Sequence, residues 1–479
     1  MSHPTEQRRR VLIVGGGPAG STAAALLARN GFDVVLLERE HFPRYHIGES
    51  LLASCLSILR LSGAFDKVAA AGFQIKRGSL IQWENDEWLL DWRKLVAPDA
   101  WSWQVDRATY DDILLRNAAE QGATIVEGAT VRRVIFDGDR PTAVEWIRDD
   151  DKDAVRMTTF DFLIDASGRA GVLAKRHFDM RTPHELFQNV GIWGYWTGSR
   201  LLPHSPEGAI NIVSTADGWY WIIPLAGDRR SVGFVAHKRR FIENRARYGS
   251  LEDYYLDLMK GHDGVRALLE GARFEGQVRV EQDYSYVSER FCGPGYALIG
   301  DAACFLDPLL STGVHLAQYS AMVGSAAIAT LLRGEMPEQE ALAFFDYTYR
   351  RAYSRMLVLV ARMYREYMGA DDYFGRSEQL VHAEGRGERP VQAFTQIITG
   401  LTDVREASGT SSRVTTEAIV EAAHGAKDET AKSSLSYLCG IDMSPVWDIW
   451  RDPLGPDTAM GNIRITAEPR LGLYRETAP

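Results

Sequence analysis

The sequence predicts an α/β protein in which a parallel sheet with flanking helices is joined to an antiparallel sheet and a helical C-terminal region. Three observations support this prediction. A glycine-rich turn links a strand to a helix at residues 10–20, and a second strand–turn–helix unit follows at 296–332. Between them, apolar and polar residues alternate over 190–235. Strand–helix units favour a parallel sheet, whereas alternation favours antiparallel strands with one buried face.

The first strand–turn–helix unit carries Gly15, Gly17 and Gly20 in the G-x-G-x-x-G spacing. The first glycine permits a tight turn, the second lets a pyrophosphate approach the backbone, and the third lets the helix pack on the strand. A second strand follows and ends at Glu38, where an acidic side chain can bind ribose hydroxyls. The unit therefore predicts a Rossmann-like domain that binds an adenine dinucleotide.

The second unit indicates which dinucleotide is bound. Its strand ends in Gly300 and Asp301, and a long helix begins at 311–313 after a proline turn. The aspartate can hold a ribityl hydroxyl, and the helix N-terminus can stabilise negative charge on a reduced flavin ring. Two nucleotide-facing turns with a single glycine fingerprint favour FAD over NAD.

Composition limits the remaining possibilities. The 479 residues carry a formal net charge of -10 and show no long basic run, which disfavours nucleic acid and anionic membranes as partners. The sequence shows neither an apolar signal core nor a run of membrane-spanning length. Its four cysteines are widely spaced, which predicts neither disulfides nor a metal cluster. We therefore expect a cytoplasmic enzyme.

The chain divides into three predicted regions. A discontinuous FAD-binding domain comprises residues 1–75, 104–185 and 285–335. A substrate-binding β-sheet domain comprises residues 76–103 and 186–284, and residues 336–479 form the C-terminal helical region. In that last region we predict helices at 339–368, 391–401, 417–424 and 430–438, and an irregular tail from 444.

Several segments allow two interpretations. The corner at 43–50 contains Arg44 and could face a cofactor, or could be a plain loop before a helix that opens at Glu49 and Ser50. Arg107 could bind a cofactor or pair with Asp111 or Asp112.

Three further segments complete the local predictions. Tryptophans crowd residues 83–103 and could face a flat apolar ligand or fill the core. Lys76 lies beside them, although most lysines are solvated. Residues 149–153 predict an exposed acidic turn, and 251–269 predict a helix.

Together these features resemble the flavoprotein monooxygenase superfamily, in its flavin-dependent halogenase branch. The sequence is most similar to the enzymes that chlorinate phenolic or pyrrolic units in antibiotic and polyketide biosynthesis. The similarity extends to about residue 374 and implies a FAD-binding domain of the p-hydroxybenzoate hydroxylase type. The motifs that carry it are residues 15–20, 43–44, 48–50, Arg107, 300–303, Lys76 and the W-x-W-x-I-P string at 219–224.

The resemblance implies a role for individual residues. It makes Lys76 catalytic, assigns the halide to Thr312 and Gly313, and makes Trp219 and Trp221 a partition between flavin and substrate. It implies no metal. The residues that it assigns to FAD are Gly15, Gly17, Ala19, Gly20, Glu38, Arg39, Arg44, Ser50, Arg107, Asp301, Pro308 and Gly313.

The resemblance also implies the chemistry. A separate flavin reductase supplies FADH2, and reduced FAD with oxygen converts chloride to hypochlorous acid. Lys76 then either forms a chloramine or orients hypochlorous acid by a hydrogen bond. Burial in an apolar pocket would lower the pKa of the amine and suit either role.

One departure from the family bears on the substrate. Tryptophan halogenases carry a glutamate just before the Ser-Thr-Gly turn, whereas Leu309 and Leu310 occupy that place here. A phenol activates its own ring and needs less assistance, so we expect a phenolic substrate, free or bound to a carrier protein. The base that deprotonates it is not identified by the sequence. His315 is a candidate, although its place in a helix favours a structural role.

Two other functions compete with halogenation. An aromatic hydroxylase of the same fold would oxidise its own NADPH. A flavin-binding carrier without turnover would have no use for Lys76 or the tryptophan string. The nature of the product separates the three.

Overall fold

A computed structural model describes residues 9–365, 395, 398–408, 437–438, 441–442 and 462–475. Of the predicted C-terminal helices, the one at 417–424 lies outside the described residues and the one at 391–401 is described only in part. The predicted helix at 430–438 is described only at Tyr437–Leu438, and this pair is a strand.

The strands are, in chain order, β1 (Arg10–Val14), β2 (Asp33–Leu37), β3 (Gln74–Lys76), β4 (Gly78–Trp83), β5 (Asp86–Asp91), β6 (Ser102–Gln104), β7 (Thr124–Val126), β8 (Ala129–Asp137), β9 (Arg140–Arg148), β10 (Asp151–Thr159), β11 (Phe162–Asp165), β12 (Arg181–Thr197), β13 (Ile210–Thr215), β14 (Gly218–Pro224), β15 (Arg229–His237), β16 (Arg273–Phe274), β17 (Arg279–Ser288), β18 (Cys292–Gly293), β19 (Tyr296–Leu298), β20 (Cys304–Phe305), β21 (Tyr437–Leu438), β22 (Ile441–Asp442), β23 (Ile463–Thr466) and β24 (Gly472–Arg475). The helices are α1 (Pro18–Arg29), α2 (Cys55–Ser62), α3 (Phe65–Ala70), α4 (Trp92–Leu95), α5 (Arg107–Glu120), α6 (Lys238–Arg245), α7 (Leu251–Lys260), α8 (Asp263–Leu269), α9 (Gly313–Leu332), α10 (Glu338–Arg365) and α11 (Leu401–Ser408).

The first sheet has the strand order β18-β19-β11-β1-β2-β7. All neighbours are parallel except the edge strand β18, and α1 packs against both α5 and α9. Residues Val11, Leu12 and Ile13 are fully buried, as expected for a strand covered on both faces. This arrangement confirms the predicted Rossmann-like fold. It also brings the turns that follow β1, β11 and β19 to the same edge of the sheet.

The second sheet has the order β20-β17-β12-β15-β14-β13-β4-β5, with β16 paired to β12. Its neighbours are antiparallel apart from the parallel pair β4 and β13. On β14, Trp219 and Trp221 belong to the large core that also includes β1 and α9, whereas Tyr220 and Ile222 face a separate core with α7 and α8. The predicted antiparallel aromatic sheet is confirmed, and its tryptophan face is turned towards the nucleotide-binding side.

Two local predictions fail because of pairing with distant residues. Residues 49–52 do not open a helix, because Ser50 bridges to Gln104 and the Leu51 N–H donates to the Trp103 carbonyl at 3.0 Å. Helix α2 begins only at Cys55. The tail from 444 was expected to be irregular, but β23 and β24 form a hairpin. The Leu473 N–H donates to Thr330 Oγ1 of α9 at 2.7 Å and anchors this hairpin.

Two further predictions are wrong in extent. The acidic turn at 149–153 is shorter than expected, because β10 begins at Asp151 and pairs with β9. The residues of β10 are mostly polar and exposed, so they lack the alternation of apolar and polar residues that predicts a strand. The single helix at 251–269 is two helices, α7 and α8, and His262 caps the second by accepting the Val265 N–H.

The predicted division into domains remains a prediction. The first sheet uses residues 10–37, 124–126, 162–165 and 292–298, and the second uses 78–91, 181–237, 273–288 and 304–305. Lys76 lies in neither of them. Its strand, β3, pairs with β6 in a small sheet of two strands.

Candidate active site

The glycine-rich turn after β1 is tightly packed at two glycines and open at a third. Gly15 has φ +107°, and a Cβ there would lie 2.3 Å from the Ala166 carbonyl oxygen. A Cβ on Gly20 would lie 1.9 Å from the Gly15 carbonyl oxygen. At Gly17, however, the nearest atom to a Cβ would be an Arg44 guanidinium nitrogen at 3.5 Å. The turn therefore leaves room where a pyrophosphate would approach the backbone.

Glu38 follows β2 and is buried beside this turn. Its carboxylate accepts the backbone N–H groups of Gly16 at 2.6 Å and Glu40 at 2.8 Å. These bonds fix the acid at the strand end, where dinucleotide-binding folds place the ribose. Arg39 is exposed and forms an ion pair with its neighbour Glu40. Among the described residues no hydrogen bond joins its side chain to another predicted site residue.

A buried aspartate joins the two candidate arginines. Arg107 donates to both carboxylate oxygens of Asp111 at 2.8 Å, and Arg44 donates to one of them at 3.1 Å. Burial raises the pKa of Asp111, but the charges of Arg107 and Arg44 outweigh it and the net shift is downward. Arg107 also donates to the Ile47 carbonyl at 2.7 Å. The structure thus shows Arg107 paired with Asp111, which draws the corner at 43–50 onto α5. The role of Arg107 in cofactor binding stays a prediction.

Asp301 follows β19 at the same sheet edge as the glycine-rich turn. Gly300 approaches α1 so closely that a Cβ would lie 3.0 Å from the Ala19 Cβ. Within the described part of the chain no hydrogen bond reaches the Asp301 carboxylate. Burial raises its pKa, and the charges of Arg169, Arg107 and Arg181 oppose that rise. A glycine turn with open space and a half-buried carboxylate without a donor fit the pyrophosphate and ribityl groups of FAD.

The turn before α9 has the features of an anion site. Thr312 is buried, and its Oγ1 has no hydrogen-bond partner among the described residues. Gly313 is exposed, begins the 20-residue helix α9 and has open space where a Cβ would stand. A helix N-terminus of this kind presents free amides and a positive dipole end. Pro308 is exposed at the start of the preceding short 3-10 helix, whereas Leu309 and Leu310 are buried.

Lys76 is buried, with 1% of its surface exposed, so the solvated alternative does not apply. Its Nζ donates to Ser50 Oγ at 2.7 Å and to the Leu51 carbonyl at 3.1 Å, and lies 4.9 Å from the centre of the Trp92 ring. Among the described residues no carboxylate lies within ion-pair distance of this amine. Burial lowers the pKa of Lys76 to about 7. The amine can therefore gain or lose a proton near neutral pH.

Trp219 and Trp221 lie side by side on β14, with ring centres 6.0 Å apart. Trp221 covers Gly233, where a Cβ would lie 2.2 Å from the indole ring. The Trp221 N–H donates to Ser231 Oγ at 3.2 Å. Both rings are buried, which suits either a partition or an ordinary sheet core. Their role as a partition remains a prediction.

His315 is fully buried and both ring nitrogens are bonded. Nδ1 lies 2.8 Å from Ser54 Oγ, and Nε2 lies 2.8 Å from an Asp403 carboxylate oxygen. The other Asp403 oxygen is paired with Arg355. This side chain has no nitrogen left to accept a substrate proton, which agrees with the structural role.

Glu49 lies in the corner at 48–50 but is not among the predicted site residues. The Tyr195 hydroxyl donates to Glu49 Oε1 at 2.8 Å and lies 3.0 Å from the Tyr45 hydroxyl, which accepts the Trp193 N–H. Burial raises the pKa of Glu49 to about 7, against hydrogen bonds from Ser231 and Tyr195. Glu49 is an acidic residue in an otherwise apolar segment, and this feature of the sequence could have indicated a functional residue.

Five of the predicted site residues lie in one series, which Asp111 connects. It runs from Gly17 to Arg44, through Asp111 to Arg107, and on to the corner that carries Ser50. Ser50 then contacts Lys76. Among the described residues no hydrogen bond links Lys76 to Thr312 or to the two tryptophans.

Other predicted absences are tested only in the described part of the chain. There, Cys55, Cys292 and Cys304 are free thiols, and no group of acidic, histidine and cysteine side chains could hold a metal ion. Cys439 lies outside the described residues. None of the described helices combines the length and apolarity needed to cross a membrane.

Comparison with known proteins places these features in a family. A family model described as tryptophan halogenase matches residues 10–90 and 89–411. Tryptophan 2-halogenase of Chondromyces crocatus is 38% identical, over 96% of this chain and 92% of its own length. Sulochrin halogenase gedL of Aspergillus terreus is 37% identical, over 73% of this chain and 68% of its own.

Solved structures agree with these relatives. The myxobacterial chondrochloren halogenase CndH, described as a new variant of FAD-dependent halogenases, superposes with a TM-score of 0.69 at 33% identity. The match covers 86% of this chain and 96% of CndH. The flavin-dependent halogenase CmlS gives a TM-score of 0.66 at 32% identity, over 84% and 77% of the two chains.

Proposed function

The chain belongs to the flavin-dependent halogenases, and from this premise we propose that it chlorinates an electron-rich phenolic ring in natural-product biosynthesis. As a member of this family it is an enzyme that uses FAD, oxygen and a halide, and it relies on a separate flavin reductase and an aromatic substrate. The family, the cofactor and the enzyme class predicted from the sequence are thereby confirmed. The phenol, the choice of chloride and the residue roles are our proposal.

The observation that carries the proposal is that Lys76 is buried without a carboxylate partner among the described residues. When bound, reduced FAD supplies with oxygen the oxidising equivalent that turns chloride into hypochlorous acid. A neutral Lys76 amine donates two N–H groups to Ser50 and Leu51 and keeps its lone pair for electrophilic chlorine. A protonated amine would instead offer a third N–H to hypochlorous acid. In both cases one buried nitrogen fixes where the oxidised chlorine reacts.

Thr312 and Gly313 are the residues that we propose for chloride. The Gly313 amide lies at the start of α9, and Thr312 Oγ1 is buried without a partner among the described residues. Amide and hydroxyl donors at a helix N-terminus favour a small anion. Trp219 and Trp221, side by side on the inner face of the second sheet, would keep substrate away from the flavin.

The missing carboxylate favours a phenol over an indole. Leu309 and Leu310 are both buried ahead of Thr312, so neither position can offer a base to an arenium ion. A phenol supplies electrons from its own oxygen and has less need of that base. Tryptophan is the second candidate substrate, because the relative at 38% identity is named tryptophan 2-halogenase.

The test is product analysis by mass spectrometry. The enzyme is incubated with FAD, a flavin reductase with NADH as its electron donor, oxygen and chloride, together with free phenolic acids, the same acids on a carrier protein, and tryptophan. We expect a chlorinated phenol that is absent without chloride. Chlorinated tryptophan alone would overturn the substrate proposal. A hydroxylated product, or NADPH consumption without the reductase, would contradict chlorination.

A further inference from the structure

The hydroxyl of Tyr364, near the end of α10, joins the tryptophan pair to the turn before α9. It accepts the Trp219 indole N–H at 2.6 Å and donates to an Asp307 carboxylate oxygen at 3.0 Å. The Tyr364 ring also packs edge-on against Trp83 and Phe187 at 6.3 and 5.7 Å between ring centres. A side chain from the C-terminal region thus contributes to the centre of the candidate site.

Asp307 connects this hydroxyl to the proposed halide residues. It is fully buried, and its second carboxylate oxygen accepts the Leu309 N–H at 3.0 Å. The Asn189 amide, on β12, donates to the first oxygen at 2.8 Å and lies 3.3 Å from the Tyr364 hydroxyl. Four residues lie between Asp307 and Thr312. Strands β12 and β14, helix α10 and the halide turn are therefore held by one hydrogen-bond network.

Each donor in this network is matched to an acceptor. The carboxylate receives the Leu309 amide, one Asn189 N–H and the Tyr364 hydroxyl hydrogen, and the Tyr364 oxygen receives the Trp219 N–H. Buried polar groups in such networks fix one arrangement, because any displacement leaves a donor without an acceptor. Ring packing in the core also restrains the indole, but the bond to Tyr364 is what ties its N–H to the halide turn.

We infer that Tyr364 is a positioning residue that holds Trp219 in a fixed orientation relative to the halide turn. The inference rests on the proposed partition of flavin from substrate. A tilted Trp219 would open the partition, and oxidising equivalents would be lost before they reach the ring that is chlorinated. Removal of the Tyr364 hydroxyl therefore lowers the yield of chlorinated product per oxygen consumed.

The test replaces Tyr364 with phenylalanine, which keeps the ring and removes one oxygen. Tyr347→Phe is the matched control, because Tyr347 lies on the same helix and its hydroxyl accepts from Arg351. We expect Tyr364→Phe to lower chlorinated product per oxygen consumed by about threefold to tenfold, with a matching rise in hydrogen peroxide or free hypochlorite. The control keeps the wild-type ratio. A wild-type ratio in Tyr364→Phe would overturn the inference.

A mutant cycle separates positioning from general damage. Trp219→Phe removes the indole N–H that Tyr364 accepts. If Tyr364 acts through Trp219, adding Tyr364→Phe to Trp219→Phe lowers the ratio little further. Multiplied losses in the double variant would contradict the inference.

A spectroscopic readout makes the test independent of the substrate. The protein is labelled with 5-fluorotryptophan, and the fluorine resonance of Trp219 is assigned by its loss in Trp219→Phe. We expect Tyr364→Phe to shift or broaden this resonance and Tyr347→Phe to leave it unchanged. An unchanged resonance in Tyr364→Phe would overturn the inference even if chlorination of phenols fails.

Discussion

Lys76 and His315 are both buried ionisable side chains, but their surroundings differ. His315 is bonded on both ring nitrogens, and its acid partner, Asp403, is shared with Arg355. Lys76 donates only to a hydroxyl and a carbonyl, and no carboxylate among the described residues neutralises it. One site has a compensated charge, whereas the other does not.

The pKa values express this difference. Burial raises the pKa of Asp403, but Arg355 and His315 outweigh it and the net shift is downward. Burial lowers the pKa of Lys76 to about 7, and only a weaker interaction with Cys55 opposes this shift. A buried carboxylate that is paired with an arginine stays charged and serves structure, whereas an uncompensated amine exchanges its proton near neutrality and can serve chemistry. The comparison thus separates a structural group from a reactive one.

The largest expected effect is on the compensated cluster. Asp403→Asn removes the carboxylate that pairs with the buried Arg355 and His315, so we expect the free energy of unfolding to fall by about 3–5 kcal/mol. Urea denaturation measures this loss. Asp263→Asn, which breaks an exposed pair with Arg266, should change little. Equal stability of the two variants would show that the cluster of His315, Asp403 and Arg355 does not stabilise the fold.

Lys76→Met should raise the free energy of unfolding, whereas Asp403→Asn lowers it. The pKa of Lys76 is about 7 in the folded protein and 10.5 ordinarily, so between these values the unfolded chain binds more protons and wild-type stability rises with pH. Keeping the amine buried at pH 7 costs roughly 5 kcal/mol, which its two hydrogen bonds partly offset. We expect the variant to be more stable by about 2 kcal/mol at pH 7. The advantage should vanish near pH 10.5, and urea denaturation across that range would reveal it.

The pH dependence of chlorination tests which protonation state of Lys76 is the reactive one. If the neutral amine reacts, product formation should fall about tenfold per pH unit below 7 and level off above it. A fall above pH 7 instead would favour the protonated donor. Glu49 also has a pKa raised to about 7, so the profile is repeated with Glu49→Gln. The acidic limb should persist in that variant.

Two serines offer the smallest and most closely matched test. Ser50 contacts Lys76, and Ser54 contacts His315. We expect Ser50→Ala to lower the chlorination rate by about threefold to tenfold, because the amine loses an acceptor. Ser54→Ala should lower stability by about 1 kcal/mol and leave the rate unchanged. A loss of rate in Ser54→Ala and none in Ser50→Ala would contradict the assignment of Lys76 as reactive and His315 as structural.

Local spacing explains how much of this site the sequence could predict. The glycine turn, Glu38 and the Gly300–Asp301 corner each lie at the end of a strand, as predicted, because each follows its strand within a few residues. Their contacts with FAD stay predictions. The partners of Lys76 and His315 were not found. Asp403 lies 88 residues from His315, and Ser50 reaches Lys76 only because the segment after Gly48 is extended and pairs with β6.

The same reasoning explains the wrong predictions. The pattern at Glu49 and Ser50 has helical character, but pairing with Gln104 overrides it. The C-terminal hairpin depends on a bond to Thr330, more than a hundred residues earlier. Propensity describes a segment on its own, whereas these elements are decided by what they meet in the folded chain.

The central claim is that Lys76 directs oxidised chlorine to the substrate and takes no part in flavin binding or oxygen reduction. Its most direct test measures chlorinated product and oxygen consumption together in Lys76→Met. We predict wild-type FAD binding and oxygen consumption with product lowered by a hundredfold or more, about 3 kcal/mol or above. Chlorination at the wild-type rate, or loss of oxygen consumption together with product, would contradict the claim.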